Sequence, residues 1–280
     1  MQGNRNTSTR REHLKLLGSA AAAAATLSAP GLEVFGQGAP RRTAAPGGRD
    51  EDYDFLFTRL KFKMNVGPRS ADWNAYPGAE RYLLQELSSV VRCKVKLPPN
   101  CSGESPAAGE DAQFNAVVTL DDDPAKLRNY PFLFMTGEGA FTFDQNQKAT
   151  LKRYLEQGGF LLIDDCVLAP SGDHLYQSSY RMLEETFGKG SVANVPKDHE
   201  VFHNVYDLGS IGLPHCQGKN HGAKGIFLGD RLAVFLSATD IHCGWVDKTG
   251  NWFPNPALGR HAYKEAIQMG INIVMYALSH

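Results

Sequence analysis

The chain has 280 residues, of which 42% are hydrophobic and 21% are charged. This composition is typical of a globular protein and excludes disorder as the main state. The 29 Lys and Arg residues almost balance the 30 Asp and Glu residues, which leaves a net charge of −1. Without a basic excess, nucleic acid is not expected as the main partner. No apolar run of about 20 residues follows the N-terminal segment, so we predict no membrane span in the mature chain.

The N-terminal segment resembles a twin-arginine export signal. Thr9 precedes Arg10 and Arg11, and an apolar segment containing Lys15 follows, although His13 stands where the pattern prefers an aromatic residue. An alanine-rich stretch over residues 16–29 is too short and too weakly apolar to span a membrane. The resemblance implies a signal peptide over residues 1–38 and a location in the periplasm. Residues 39–52, rich in Pro and Gly, are predicted to be a flexible linker, and residues 53–280 a single domain.

The first part of the domain has patterns of both strand and helix. Residues 55–62 are predicted to form a strand, and residues 79–91 have apolar side chains at helical spacing. Residues 95–97 and 116–120 are short strand candidates, and the segment between them is a polar loop with Pro and Gly.

The centre of the domain has the clearest pattern. Residues 131–135 are a continuous apolar run, as in a strand covered on both faces. Asp144 is predicted to cap a helix that extends to about residue 157, and Gly158 and Gly159 end it. Residues 160–163 form the next buried strand. Strand, helix and strand in about 35 residues predict a crossover between parallel strands.

The C-terminal part adds a helix over residues 180–187, a strand pair over 226–228 and 232–236, and a closing helix over 262–278. Together the patterns predict an α/β domain with a three-layer, mostly parallel open sheet and helices on both faces. Ligands of such sheets bind beyond the carboxyl ends of the strands. Three loops at those ends carry the candidate ligand-binding residues: Glu138, Asp164, Asp165, Asp240, His242 and Trp245.

The carboxylates and His242 could hold a divalent metal ion, with His174 or His199 as further ligands. The alternative interpretation is that Asp164 and Asp165 accept backbone hydrogen bonds and cap the following turn.

Several segments resemble one bacterial family, an exported domain of unknown function placed near the class I glutamine amidotransferase-like, flavodoxin-like fold. They are residues 129–137, 158–166, 243–245 and 272–278. Residues 196–203 also resemble a segment of trehalose-utilisation-like relatives. Amidotransferases place a nucleophilic Cys after a central strand, and the resemblance implies that Asp165 or Cys166 takes this catalytic place. The small flanking residues and the activating His-x-Glu pair of amidotransferases are absent, so glutaminase activity is not carried over.

Three functions remain open from the sequence. The first is a cell-envelope domain that binds a small ligand, such as a saccharide, at the strand ends. The second is a hydrolase or amidase that uses Cys166 or a metal-bound water. The third is a structural domain that binds a protein partner through loop aromatics such as Trp252 and Phe253. The five cysteines allow disulfides between Cys93 and Cys101 and between Cys166 and Cys243.

Overall fold

A computed structural model describes residues 52–66, 73–75, 78–99, 110–166, 172–245 and 259–280. The segments assigned to a signal peptide and, except for residue 52, to a linker lie outside these residues. Within these residues the main sheet has seven strands: β1 (Thr58–Leu60), β3 (Ala116–Val118), β4 (Phe132–Gly137), β6 (Phe160–Asp165), β7 (Ala193–Asn194), β8 (Lys224–Leu228) and β9 (Arg231–Ser237). Their order across the sheet is β3-β1-β4-β6-β9-β8-β7. Strands β3, β1, β4, β6 and β9 are parallel, whereas β8 and β7 are antiparallel to their neighbours. The predicted α/β class is therefore confirmed.

Helices cover both faces of this sheet, as predicted. Helices α1 (Ala79–Val90) and α5 (Gly259–Ser279) pack on one face, where they share a core with Phe132 and Phe134 of β4. Helices α3 (Gln145–Glu156) and α4 (His174–Phe187) pack on the other face with Leu133 and Met135. Because successive strand residues point to opposite faces, an apolar run such as β4 serves both cores.

The predicted crossover lies at the centre of the sheet. Strands β4 and β6 pair in parallel over six residues, with α3 between them in the chain. The Asp144 carboxylate accepts a hydrogen bond from the Gln147 N–H, and the Gln147 side chain accepts one from the Asp144 N–H. This capping box starts α3 at the predicted position. Gly158 then takes a φ of 91°, which turns the chain into β6.

Element boundaries differ from the sequence predictions in several places. The first strand is shorter than predicted, because Phe55 forms only an isolated bridge, with Val95 of the predicted strand 95–97. Helix α4 begins at His174, six residues before the predicted start, because Leu175 and Tyr176 already pack in the core. A four-residue helix α2 (Pro124–Leu127) and a two-stranded sheet of β2 (Met64–Val66) and β5 (Ala140–Phe141) were not predicted.

The hairpin of β8 and β9 is confirmed, with Gly229 at a φ of 64° in its turn. Among the described residues, no helix has both the length and the apolar character needed to cross a membrane.

Candidate functional site

The polar side chains of the candidate site lie at the carboxyl ends of three adjacent parallel strands. Thr136 of β4 pairs with Asp164 of β6, and Asp164 pairs with Ser237 of β9. This register places the ends of the three strands, and the loops that follow them, at one edge of the sheet. Four carboxyl groups gather there: Glu138, Asp164, Asp165 and Asp240. We call these four residues the acidic cluster.

Asp164 points to the face that carries α5. Its Oδ2 accepts a hydrogen bond of 2.8 Å from the His242 N–H, and the side chain is fully buried. Burial raises the pKa of Asp164 well above its usual value, and the charge of Asp240 raises it further, although hydrogen bonds from His242, Ser237 and Ile241 oppose the shift. The Asp164 Oδ1 has no hydrogen-bond partner among the described residues.

Asp165 points to the opposite face. Its Oδ2 accepts a hydrogen bond of 2.8 Å from the Tyr176 N–H in the first turn of α4. Burial raises the pKa of Asp165 well above its usual value, against this hydrogen bond, and the charges of Asp240, Asp173 and Glu138 add to the increase. The Asp165 Oδ1 also has no hydrogen-bond partner within the described segments. Adjacent positions on a strand therefore give the two aspartates separate surroundings, and Asp240 interacts electrostatically with both.

Asp240 links the acidic cluster to a group of thiols. Its φ of 54° is in the left-handed region, which non-glycine residues seldom adopt. The Asp240 Oδ1 accepts a hydrogen bond from the Cys243 N–H at 3.3 Å, and its Oδ2 accepts one from the Gln217 amide. The left-handed turn thus places the Asp240 carboxylate between the loop that follows β9 and the loop that precedes β8.

Cys166 and Cys243 lie side by side, as free thiols, with their Sγ atoms 3.5 Å apart. The hydrogen bond with Cys243 lowers the pKa of Cys166, but burial and the neighbouring carboxylates outweigh it and raise the pKa to about 12. Burial likewise raises the pKa of Cys243. Both residues therefore favour the thiol, which is a poor nucleophile. Cys93 is also a free thiol, and its suggested partner Cys101 lies outside the described residues.

Behind the site lies a buried ion pair that sequence analysis missed. Arg59 of β1 is fully buried and donates hydrogen bonds to Glu80 of α1 and to the carbonyl oxygens of Trp73 and Ala75. Its Nη2 lies 3.2 Å from the His242 Nε2. An arginine in a strand of a sheet covered on both faces signals such a pair, because a buried charge requires a partner.

The other predicted residues lie in distinct environments. Glu138 is half-buried at the end of β4, and its charge acts on Asp165 and Cys166. Trp245 is fully buried, packs against Phe57 and Phe134, and donates its indole N–H to the Ala266 carbonyl. Trp245 thus lies in the core, and its contacts are those of a packing residue.

The two histidines suggested as further metal ligands are not part of the acidic cluster's hydrogen-bond network in the described structure. The His199 Nδ1 accepts a hydrogen bond from the Val201 N–H, and its ring packs against Phe227 and Tyr276. His174 is the first residue of α4, and in this turn the Gln177 N–H donates a hydrogen bond to the Asp173 carbonyl oxygen.

Asp173 is a second group that sequence analysis missed. Burial alone would raise its pKa, but hydrogen bonds from Gln177, His221 and Lys219 lower it below the usual value. The His221 ring stacks on Tyr176, the residue whose N–H binds Asp165. Asp173 therefore holds the loop before β8 against the start of α4.

The fold and the site define a three-layer α/β domain with carboxylates and thiols at the carboxyl ends of its central strands. Residues 57–278 match the family model described as "Domain of unknown function (DUF4159)". The chain belongs to this family. No curated protein matches the chain.

Proposed function

We propose that the domain binds a small ligand at the acidic cluster, through hydroxyl or amine groups of that ligand. The observation that carries this proposal is the Asp165 Oδ1, a buried carboxyl oxygen with no hydrogen-bond partner among the described residues. Buried polar groups are nearly always hydrogen-bonded, and an exception at the strand ends of a parallel sheet suggests a missing partner.

The protonation state of the cluster indicates which ligand chemistry fits. The raised pKa of Asp165 favours the neutral carboxyl group. A neutral carboxyl group both donates and accepts hydrogen bonds, whereas an ionised one only accepts. Saccharide hydroxyls also donate and accept, so a saccharide matches this group in either direction. An amine matches the negative potential of Glu138 and Asp240.

Two half-buried residues, Glu138 of the cluster and Gln217 beside it, are the first that an entering ligand would meet. Glu138 lies at the end of β4, and Gln217 donates to Asp240 from the loop before β8. A ligand that contacts Glu138 and Gln217 would also act on the buried aspartates, because the charge of Glu138 affects Asp165 and Gln217 is hydrogen-bonded to Asp240.

Hydrolysis by Cys166 has less support than ligand binding. A thiol nucleophile is normally activated by a neighbouring histidine or by a lowered pKa. In the part of the chain described here, the thiol hydrogen-bonds to Cys243, and its pKa is raised to about 12. Binding requires no thiolate and is therefore the better explanation of this site.

Thermal unfolding of the full chain with a panel of monosaccharides, disaccharides and small amines tests the proposal. A ligand present at about 100 times its Kd stabilises the native state by about 2.7 kcal/mol. For a domain of this size, that corresponds to an increase in Tm of roughly 5–10 °C.

The matched variants are Asp165→Asn in the cluster and Asp207→Asn on the surface, where the Asp207 side chain is 82% exposed. We expect the ligand-induced increase in Tm to disappear in Asp165→Asn and to persist in Asp207→Asn. An equal increase in both variants, or no increase with any member of the panel, would contradict binding at the cluster.

We also propose that residues 1–38 direct export by the twin-arginine route, on the strength of Arg10 and Arg11. Cell fractionation of the full chain and of a variant with both arginines replaced by Lys tests this. Retention of the variant in the cytoplasm is expected. Export of both proteins to the same extent would contradict it.

A further inference from the structure

The thiols next to the acidic cluster have the arrangement of a metal-binding site. Cys166 follows β6 directly, and Asp240 and Cys243 follow the neighbouring parallel strand β9. One Sγ atom from each Cys and one carboxylate oxygen of Asp240 all lie within 4.8 Å of one another. The three residues are fully buried.

The distance between the thiols fits a shared metal ion. Two sulfurs each about 2.3 Å from a tetrahedral zinc ion lie roughly 3.8 Å apart. The observed Sγ–Sγ distance is 3.5 Å, whereas the sulfurs of a disulfide are only about 2.05 Å apart. A small adjustment of two side chains would therefore place both sulfurs around one ion.

The backbone and a neighbouring amide hold the third ligand in place. Asp240 adopts its left-handed φ of 54°, a conformation that is strained for a non-glycine residue and is often found at functional sites. Its carboxylate is oriented by the Cys243 N–H and by the Gln217 amide. Hydrogen bonds of this kind orient metal ligands in established sites.

A second, independent observation indicates that a bonding partner is missing in this region. The Asp164 Oδ1 is buried next to Asp240 and has no hydrogen-bond partner among the described residues. Cys216 is a further buried thiol in this region, anchored by a 2.9 Å hydrogen bond from its N–H to the Thr239 carbonyl. Arg59 reaches Asp164 only through His242, and it is already paired with Glu80.

We propose that Cys166, Cys243 and Asp240 bind a divalent metal ion, and that zinc is the ion that this donor set favours. Thiolate ligands select zinc over magnesium or calcium, which prefer oxygen. On binding, each thiol loses its proton to solvent, so one Zn²⁺ replaces two protons, and Asp240 supplies a carboxylate oxygen as the third ligand. This inference shares Asp240 with the acidic cluster but is separate from the proposed small-ligand binding, because it depends on thiols that the ligand does not need to contact.

The test uses the reduced full chain, from which metal is removed with a chelator before titration with Co²⁺. Cobalt replaces zinc in tetrahedral sites, and its bonds to thiolates give a charge-transfer absorption that carboxylates alone do not. We expect one Co²⁺ per chain, the thiolate absorption, and displacement of Co²⁺ by Zn²⁺. The metal content of the protein as purified, without chelator, provides a second measurement.

The informative variants are Cys166→Ser, Cys243→Ser and Asp240→Asn. Cys93→Ser is the control, because Cys93 is a half-buried thiol beside Asp54 of the segment that precedes β1. Each of the first three variants should weaken Co²⁺ binding by about tenfold or more, and Cys93→Ser should leave it unchanged. Circular dichroism identifies any variant that has failed to fold. If the chelated chain unfolds, Zn²⁺-dependent refolding of the wild type but not of Cys166→Ser supports the site.

Two results would overturn the proposal. One is a folded, reduced wild-type chain that shows no thiolate absorption with Co²⁺. The other is a Cys166→Ser variant that binds Co²⁺ as tightly as the wild type. Failure of the saccharide and amine panel with normal Co²⁺ binding would contradict only the proposed function, and the reverse result would contradict only the metal site.

Discussion

The buried pair of Arg59 and Glu80 allows one prediction to be worked out in detail. The Arg59 side chain is fully buried and that of Glu80 is 3% exposed. The substitution Glu80→Gln keeps a side chain of nearly the same shape and an oxygen that can still accept from Arg59. It removes the negative charge, so the guanidinium remains buried without its counter-ion.

The expected cost follows from this burial. Removing one partner of a buried ion pair costs about 3–5 kcal/mol. We expect the lower end, about 3 kcal/mol, because Arg59 keeps its hydrogen bonds to the carbonyl oxygens of Trp73 and Ala75. For a domain of this size, the loss corresponds to a decrease in Tm of roughly 6–12 °C. The matched control is Glu156→Gln, because Glu156 lies 4.0 Å from Lys152 and both side chains are about half exposed. Its expected cost is about 0.5 kcal/mol or less.

Urea denaturation of the wild type and both variants at neutral pH measures these costs, provided that the slope m is unchanged. The double variant Arg59→Met, Glu80→Leu should recover only part of the loss, because it leaves the carbonyl oxygens of Trp73 and Ala75 without their donor. A loss below about 1 kcal/mol for Glu80→Gln, or an equal loss for Glu156→Gln, would refute the reasoning.

Three further predictions concern the site and its supports. Because the pKa of Asp165 is raised in the native state, the native state binds the Asp165 proton more tightly than the unfolded chain does. The free energy of unfolding therefore falls as the pH rises from about 4 through the native pKa. Urea denaturation with chelator present measures the difference in free energy of unfolding between Asp165→Asn and wild type. This difference should shift in favour of the variant as the pH rises, by at most about 1.4 kcal/mol per pH unit. A difference that stays constant with pH would contradict the prediction. Asp144→Ala removes the carboxylate that accepts from the Gln147 N–H in the capping box of α3 and should cost about 1 kcal/mol in the same assay, whereas no change would show that the cap is dispensable. In Gly244→Ala the added Cβ would lie 2.5 Å from the Ala266 Cβ and 2.6 Å from the Cys216 Sγ. The free energy of unfolding should therefore fall by about 1–3 kcal/mol, which thermal unfolding detects as a lower Tm. A Tm equal to that of wild type would refute such close packing.

The centre of the fold was predictable because its local signals agree with one another. The apolar runs of β4 and β6, the cap at Asp144 and the glycines after α3 all indicate the same crossover, and the structure has it. The start of α4 was missed because residues 174–179 contain only two hydrophobic side chains, Leu175 and Tyr176, which is too few to show a helical period. The small sheet of β2 and β5 was missed because strands of two or three residues carry too little periodicity to detect.

The candidate site was predictable in position but not in detail. The rule for parallel sheets identifies the strand-end loops, and most of their polar residues do converge at that edge. Sequence could not show that Asp164 and Asp165 face opposite sides, since this depends on where β6 ends. Nor could it reveal the pairing of Arg59 with Glu80, 21 residues apart, which depends on how α1 packs on β1.

The central claim is that the strand-end site binds a small ligand or a metal ion, and native mass spectrometry tests this claim most directly. The full chain is expressed in a host that exports it and purified without chelator. Its mass is then measured under native conditions and again after denaturation. The account predicts an added mass in the native spectrum that is lost on denaturation and is absent from Asp240→Asn. A native mass equal to that of the polypeptide alone, with the wild type folded, would contradict it.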